Sequence, residues 1–137
     1  MDFEEIKQKN ITLRKVINID SKSLNECLRK LSVDGLNHLY KLYDVLNINK
    51  KTKQAKINYL VSEIQSQFID EFRFMMDNDE RMKFMSVCKN KNCALDFNIV
   101  DWLSFGFLFI DENNELIVPT EIYWIIEDLF IQKWQNK

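Results

Sequence analysis

Apolar residues recur at intervals of three or four along most of the chain, which is the spacing of helices with one buried face. After Ser32, a candidate N-cap, the pattern predicts a helix over 33–46. A longer apolar face follows Lys53, as one helix or as two helices joined near Ser66. Its members are Ile57, Leu60, Val61, Ile64, Phe68, Phe72 and Met75. Helices are therefore expected to supply most of the core.

Short polar residues mark where the other helices begin. Ser23-Leu24-Asn25-Glu26 has the form of a capping box, and it predicts a helix that ends near Leu31. The polar run 77–80 is expected to end one helix and to begin the next. Asp96 can cap a further helix that ends at Gly106.

Extended structure is indicated at two places. In residues 11–19 apolar and polar side chains partly alternate and β-branched side chains are frequent, so this stretch could be a strand or an extended arm. Residues 3–9, just before it, can form a short helical turn. The apolar runs 107–110 and 116–118 flank a polar turn, which is the pattern of a β-hairpin. Thr120 can cap a last helix. The predicted fold class is mainly α with a small β-hairpin.

The composition agrees with a helical globular protein. Of the 137 residues, 46% are hydrophobic and 29% are charged, and only two Gly and one Pro are present to make the many turns of a β-sandwich. The chain is predicted to divide at 65/66 into parts 1–65 and 66–137, which could also form one compact domain. No apolar run reaches the roughly 18 residues of a membrane span, and the acidic start lacks a secretory pattern. We therefore expect a cytoplasmic protein without a membrane partner.

The sequence offers no convincing catalytic constellation. The three cysteines, Cys27, Cys88 and Cys93, and the single histidine, His38, lack the spacing of a zinc site. Two glycines cannot build a glycine-rich phosphate loop, and one histidine without a nearby partner does not indicate a triad. We expect reduced thiols, no cofactor, no metal and no enzymatic activity.

The charges are sorted along the chain. Residues 1–60 carry 12 Lys/Arg against 7 Asp/Glu, whereas residues 61–137 carry 7 against 14. The formal net charge of −2 therefore hides a basic half and an acidic half. Four lysines, which we call the lysine cluster, fall within seven residues of the basic half: Lys50, Lys51, Lys53 and Lys56.

The segment 36–64 resembles the helix–extension–helix modules of the SAP motif and of the N-terminal domain of transcription termination factor Rho. The matching positions are Leu36, Leu39 and Leu42, then Ile48, then Lys50, Lys51 and Lys53, then Ile57, Leu60, Val61 and Ile64. The glycine that these modules often carry near the extension is replaced by asparagines. The resemblance implies a nucleic-acid-binding module. Lys53 and Lys56 are three residues apart and share a helical face, so the whole lysine cluster is the candidate set of phosphate contacts.

The tail from about Asp79 to Trp134 resembles a winged helix, with helices followed by a two-stranded wing and a final helix. Its candidate recognition helix, 96–105, contains no Lys or Arg, and its wing tip is acidic. Such a surface repels a polyanion, so this part is expected to pack or to bind protein rather than to read DNA. The candidate protein-binding carboxylates are Asp96, Asp101, Asp111, Glu112 and Glu115.

Two functions remain open. In the first, a small non-enzymatic protein associates with nucleic acid through the lysine cluster and with protein through its acidic half, although these lysines could also form an ordinary solvated loop. In the second, an adaptor or inhibitor binds a basic partner protein through its acidic face. The Phe- and Met-rich stretch 72–85 is expected in the core or in an adaptable docking groove. The richness in Asn, Ile and Lys is typical of AT-rich genomes and suggests a bacterial or phage source.

Overall fold

The computed structural model describes residues 2–45 and 51–135, with residues 131–135 given by their backbone alone. Within these ranges helices dominate and the one sheet has two short strands, so the predicted class, mainly α with a small β-hairpin, is confirmed. The elements in chain order are α1 Phe3–Leu13, α2 Leu24–Arg29, α3 Val33–Tyr43, α4 Lys53–Asp70, a π-helical segment Glu71–Met75, α5 Asn78–Lys89, α6 Phe97–Ser104, β1 Phe109–Ile110, β2 Leu116–Ile117 and α7 Thr120–Gln135.

The polar residues that were predicted to begin helices have that role. The Ser32 hydroxyl accepts a hydrogen bond of 3.0 Å from the third backbone N–H of α3, and Asp96 accepts one of 3.2 Å from the third N–H of α6. Asp77 and Glu80 form a complete capping box at the start of α5. Each cap satisfies an N–H group that the helix itself leaves without a partner.

The capping box predicted at Ser23 forms only in part. The Ser23 hydroxyl accepts from the N–H of Glu26 at 3.1 Å, as expected. The Glu26 carboxylate, however, reaches past Ser23 and accepts from the N–H of Asp20 at 2.9 Å. Glu26 thus holds the chain that enters α2, which explains why this carboxylate is almost fully buried.

The long apolar face belongs to one helix, but its C-terminal end is corrected by the structure. α4 continues into the π-helical segment, where the N–H of Met76 bonds to the carbonyl of Glu71, five residues earlier, at 2.8 Å. The longer turn shifts which residue returns to the core. Met76 is therefore buried, whereas Met75, predicted on the buried face, is 70% exposed.

The expectation for residues 11–19 is corrected in part. Residues 11–13 are the last residues of α1, and in the rest of the stretch Lys15 alone forms a β-bridge, while Asn18 has a positive φ of 56°. Lys15 forms a parallel bridge with Ile110, in which the N–H of Val16 bonds to the Ile110 carbonyl at 2.9 Å. This arm therefore pairs with the hairpin of its own chain.

The core draws on both halves of the chain. The ring of Phe68 in α4 lies 5.5 Å from that of Phe72, 5.0 Å from that of Phe84 and 5.1 Å from that of Phe107. Phe84 in turn contacts Trp102 at 4.9 Å. The predicted division at 65/66 falls inside α4. The division into two parts stays a prediction, but residues on either side of it contribute to one hydrophobic cluster.

A glycine ends α6. Gly106 has φ of +77°, and its N–H bonds to the carbonyl of Leu103 at 3.1 Å while that of Phe107 bonds to Trp102 at 3.1 Å. This pair of bonds is the Schellman motif, which favours glycine because other residues are strained at positive φ. After this turn the chain leaves α6 and continues through the buried residues Phe107 and Leu108 to β1.

Across the described part of the chain, no helix combines the length and the apolarity that crossing a membrane requires.

Candidate functional site

The lysine cluster lies around the start of α4. Of its four members, the first, Lys50, lies outside the described residues. Lys51 is exposed, Lys53 donates to the carbonyl of Arg29 at 3.1 Å, and Lys56 donates to the Asn37 side chain at 2.7 Å. Two of the ammonium groups therefore hold α4 against the end of α2 and against α3.

These contacts use the lysines but do not neutralise them. The Lys56 ammonium also lies 5.7 Å from the ring centroid of Tyr40, and Lys53 and Lys56 border a small hollow of about 130 Å³. Among the described residues, no carboxylate forms an ion pair with Lys51, Lys53 or Lys56. Their positive charges remain at the N-terminus of α4, where the helix dipole has the same sign.

The predicted acidic face consists of two groups of carboxylates. Asp96 and Asp101 belong to the start and the middle of α6. Asp96 caps its own helix and forms an ion pair with Lys83. Burial opposes ionisation of Asp96, but the bonds from Lys83 and from the backbone keep the pKa of this carboxyl below its usual value. Partial burial and the nearby Glu80 raise the pKa of Asp101.

The second group, Asp111, Glu112 and Glu115, occupies the hairpin turn. The Asp111 carboxylate accepts from the N–H groups of Asn113 at 2.8 Å and Glu115 at 3.0 Å. Glu112 accepts from the N–H of Asn18 at 3.0 Å. Three of the five predicted carboxylates, Asp96 included, therefore bind groups of their own chain. Whether the five act together as a docking face stays a prediction.

An apolar groove lies on the described surface. Side chains from three elements line it, namely Phe72 and Phe74 of the π-helical segment, Met82 and Met85 of α5, and Ile126 and Phe130 of α7. Its volume is about 660 Å³, and an adjoining hollow of about 410 Å³ shares Met85, Ile126 and Phe130 with it. We call the two together the apolar groove.

Several large apolar side chains are exposed at this groove. Phe74 is 71% exposed, Met82 is 69% exposed and Phe130 is 48% exposed. Contiguous exposed apolar surface of this kind marks binding sites, and methionine adapts its shape to different partners. From the sequence, the 72–85 stretch was expected either in the core or in a docking groove. The structure divides it, with Phe72 and Phe84 buried and Phe74 and Met82 at the surface.

The π-helical segment shapes one wall of the groove, and Arg81 holds it. The Arg81 guanidinium donates to the carbonyls of Phe72 at 2.6 Å and Arg73 at 3.0 Å, and to the Asn78 side chain at 2.9 Å. Because the last carbonyls of a helical stretch have no partner within it, these bonds stabilise the end of the π-helical segment. The sequence analysis did not predict this wall of the groove, because no sequence motif in this stretch indicates a π turn.

A second feature that the sequence did not reveal is a fully buried arginine. Arg14 follows α1, and its guanidinium donates to the carbonyls of Leu103 at 2.9 Å and Ser104 at 2.9 Å. It contacts Nδ1 of His38 at 3.1 Å as well. No described carboxylate pairs with it. Burial lowers the pKa of Arg14 to about 10, so the group stays charged at neutral pH and is balanced by the C-terminal dipole of α6.

His38 is expected to make stability depend on pH. Burial, together with Arg14 and Lys9, holds the pKa of His38 below its ordinary value of 6.5, so the folded state resists a proton that the unfolded state accepts. Stability is therefore full above pH 6.5 and falls as the pH drops below it. The melting temperature, measured between about pH 7 and 5, reports this fall, because most carboxyl groups titrate below this pH range.

The control for this prediction is His38→Gln, which keeps an uncharged acceptor and does not titrate. His38 is the only histidine in the chain. The melting temperature of the variant should stay level over the same pH window. An equal fall in both proteins contradicts the assignment.

The cysteines and acidic groups show no reactive or metal-binding arrangement in the described ranges. Burial, with Glu121 and Glu26 nearby, raises the pKa of Cys27 to about 12, and burial raises that of Cys88 to about 11. Such thiols stay protonated and are poor nucleophiles. In these ranges no three His, Cys, Asp or Glu residues are grouped so that they could hold a metal ion.

No protein-family model, no curated protein and no solved structure matches this chain. The geometry of the apolar groove and the distribution of charge are therefore the features of the molecule that bear on its function.

Proposed function

We propose that the protein is a non-enzymatic adaptor or inhibitor that binds another protein through the apolar groove. One observation carries the proposal: the exposed side chains of Phe74, Met82 and Phe130 converge on a single hollow between three elements. Each costs free energy while it faces water, and a partner that covers all three recovers it. Proteins rarely keep such a group of large apolar side chains exposed without a binding function.

The test is capture of a partner from extracts of the cells that produce the protein, followed by binding measurements with the purified partner. Wild type should retain a specific protein that Met82→Asp loses, because a carboxylate would have to be desolvated inside the groove. Met75→Asp is the matched control, since Met75 is 70% exposed but lies outside the groove lining. Equal retention by both variants contradicts the groove as the docking surface.

The same experiment tests the acidic face. Replacing Asp101 and Glu115 by Lys changes two carboxylates for which no bond to the described part of the chain is found. If the captured protein is lost when Asp101 and Glu115 are replaced and is kept by Met82→Asp, the result favours the alternative in which a basic partner binds the acidic half.

Association with nucleic acid is a second candidate, favoured by the charges of Lys51, Lys53 and Lys56, with which no described carboxylate forms an ion pair. If the four lysines of the lysine cluster contact phosphates, the logarithm of the affinity should fall against the logarithm of the salt concentration with a slope of about −3.6. Binding to single- and double-stranded DNA and RNA across a salt series measures this slope. Changing all four lysines to Glu should abolish the binding.

The control for the lysine experiment is a variant in which Lys7, Lys9, Lys30 and Lys41 are changed to Glu. It has the same total charge but keeps the cluster. A loss of binding that is equal in the two variants shows that net charge acts, and not a site at the start of α4.

A further inference from the structure

The apolar groove has a positively charged rim in a half of the chain that is otherwise acidic. Arg73, Arg81 and Lys89 line the two hollows, and the one carboxylate among the lining residues is Glu127. Residues 61–137 as a whole carry twice as many acidic as basic side chains. Three of the seven basic residues of this half thus lie at the apolar groove.

These cations are not neutralised by the described residues. None of the three forms an ion pair with a described carboxylate. Arg81 donates to neutral carbonyl and amide oxygens, so its charge remains. The Arg73 guanidinium lies 5.2 Å from the ring centroid of Phe74, which places a cation directly beside an exposed apolar anchor.

The lining side chains favour a helix as the occupant. Met82, Met85 and Lys89 follow a spacing of three and four along α5, as do Tyr123, Ile126 and Phe130 along α7. An apolar stripe on a third helix can fill such a groove. Both edges of the hairpin are already in use in the described residues, since β1 is bridged to Lys15 and the N–H of Leu116 in β2 bonds to the carbonyl of Lys91, so the hairpin does not favour strand addition by a partner.

We propose, on the basis of the proposed function, that the groove binds an amphipathic helix of a partner protein that carries carboxylates beside its apolar stripe. The apolar stripe supplies the affinity by covering Phe74, Met82 and Phe130. The carboxylates lie against Arg73, Arg81 and Lys89 and select this partner over helices of the opposite charge.

The test uses three labelled helical peptides of about 18 residues that share one leucine stripe at helical spacing and differ only in the flanking residues, which are Glu, Gln or Lys. Fluorescence anisotropy measures their affinity at about 0.05 M and 0.5 M salt. The Glu peptide should bind about tenfold more tightly than the Lys peptide at low salt, and the difference should shrink at high salt, because exposed ion pairs are weak and screened.

Charge reversal provides the decisive variant. Arg73→Glu with Lys89→Glu should invert the order of the peptides, whereas Lys9→Glu with Lys41→Glu, the control of equal total charge on the other half, should leave it unchanged. Met82→Asp should weaken all three peptides. Arg81 is left intact because it also holds the π-helical segment.

The outcomes separate this proposal from the function on which it rests. Equal affinities for the three peptides, all lost in Met82→Asp, leave the groove as a docking site and overturn the preference for carboxylates. If no peptide binds while the captured partner still depends on Met82, the helix is the wrong occupant. If neither the peptides nor a partner depend on Met82, both proposals fail. A wild-type dimer that Met82→Asp converts to a monomer assigns the groove to a second copy and also overturns the proposal.

Discussion

Phe68→Ala is expected to reduce the free energy of unfolding by about 3–5 kcal/mol. Phe68 is fully buried, and its ring contacts three other aromatic rings, those of Phe72, Phe84 and Phe107. Removing it takes away the transfer free energy of the side chain, leaves a cavity, and removes three aromatic pairs. Since domains of this size are stable by only about 5–15 kcal/mol, the variant should be close to unfolding. Urea denaturation followed by circular dichroism measures the change.

The matched control is Phe74→Ala, six residues further along the same continuous helical stretch. Phe74 is 71% exposed, so its removal should change stability by less than about 0.5 kcal/mol while weakening partner binding. The two phenylalanines therefore separate stability from function. A change of less than about 1 kcal/mol for Phe68→Ala would contradict the central position of this ring.

The sequence predicted those features that are decided by neighbouring residues. A polar side chain at Ser32 or Asp96 caps a helix through an N–H only three residues away, so composition and spacing are enough to find it. The hairpin is equally local, because two apolar runs and a polar turn specify it. These short-range rules also gave the fold class.

The sequence could not predict features that depend on distant contacts. The bonds of Arg14 join residues 89 and 90 positions apart, and nothing in the alternating stretch around it shows that its guanidinium is buried. The π turn at 71–75 moves Met75 to the surface, although a regular helix would bury it. The groove likewise combines the 72–85 stretch with α7. The only indication of the groove in the sequence was the richness of the 72–85 stretch in Phe and Met, which is equally typical of a hydrophobic core.

The lysine cluster shows a different limit. Its charges are visible in the sequence, but the bonds of Lys53 to the end of α2 and of Lys56 to Asn37 are not. A lysine in the first turn of a helix can therefore both pack against its own chain and contact a phosphate, and only binding data distinguish the two roles.

Arg14→Met is expected to lower the free energy of unfolding by about 2–5 kcal/mol. Methionine keeps much of the volume but has no donors, so the Ser104 carbonyl loses its bond of 2.9 Å and the Leu103 carbonyl keeps only its bonds from the backbone N–H groups of Phe105 and Gly106. A buried carbonyl that loses its partner costs about 1–3 kcal/mol. The loss also removes the cation that balances the C-terminal dipole of α6. Urea denaturation measures the change, and Arg14→Lys should recover part of it.

Lysine should recover only part of the stability because one ammonium cannot reproduce the planar fork that reaches two successive carbonyls and His38 at once. Arg29→Met is the matched control. The Arg29 side chain is 52% exposed and pairs with Glu26 at 3.6 Å, so its loss should cost less than about 1 kcal/mol. If Arg14→Met unfolds no more easily than Arg29→Met, the guanidinium is not what joins the end of α1 to the end of α6. If Arg14→Lys is as stable as wild type, charge alone is sufficient and the fork geometry is not required.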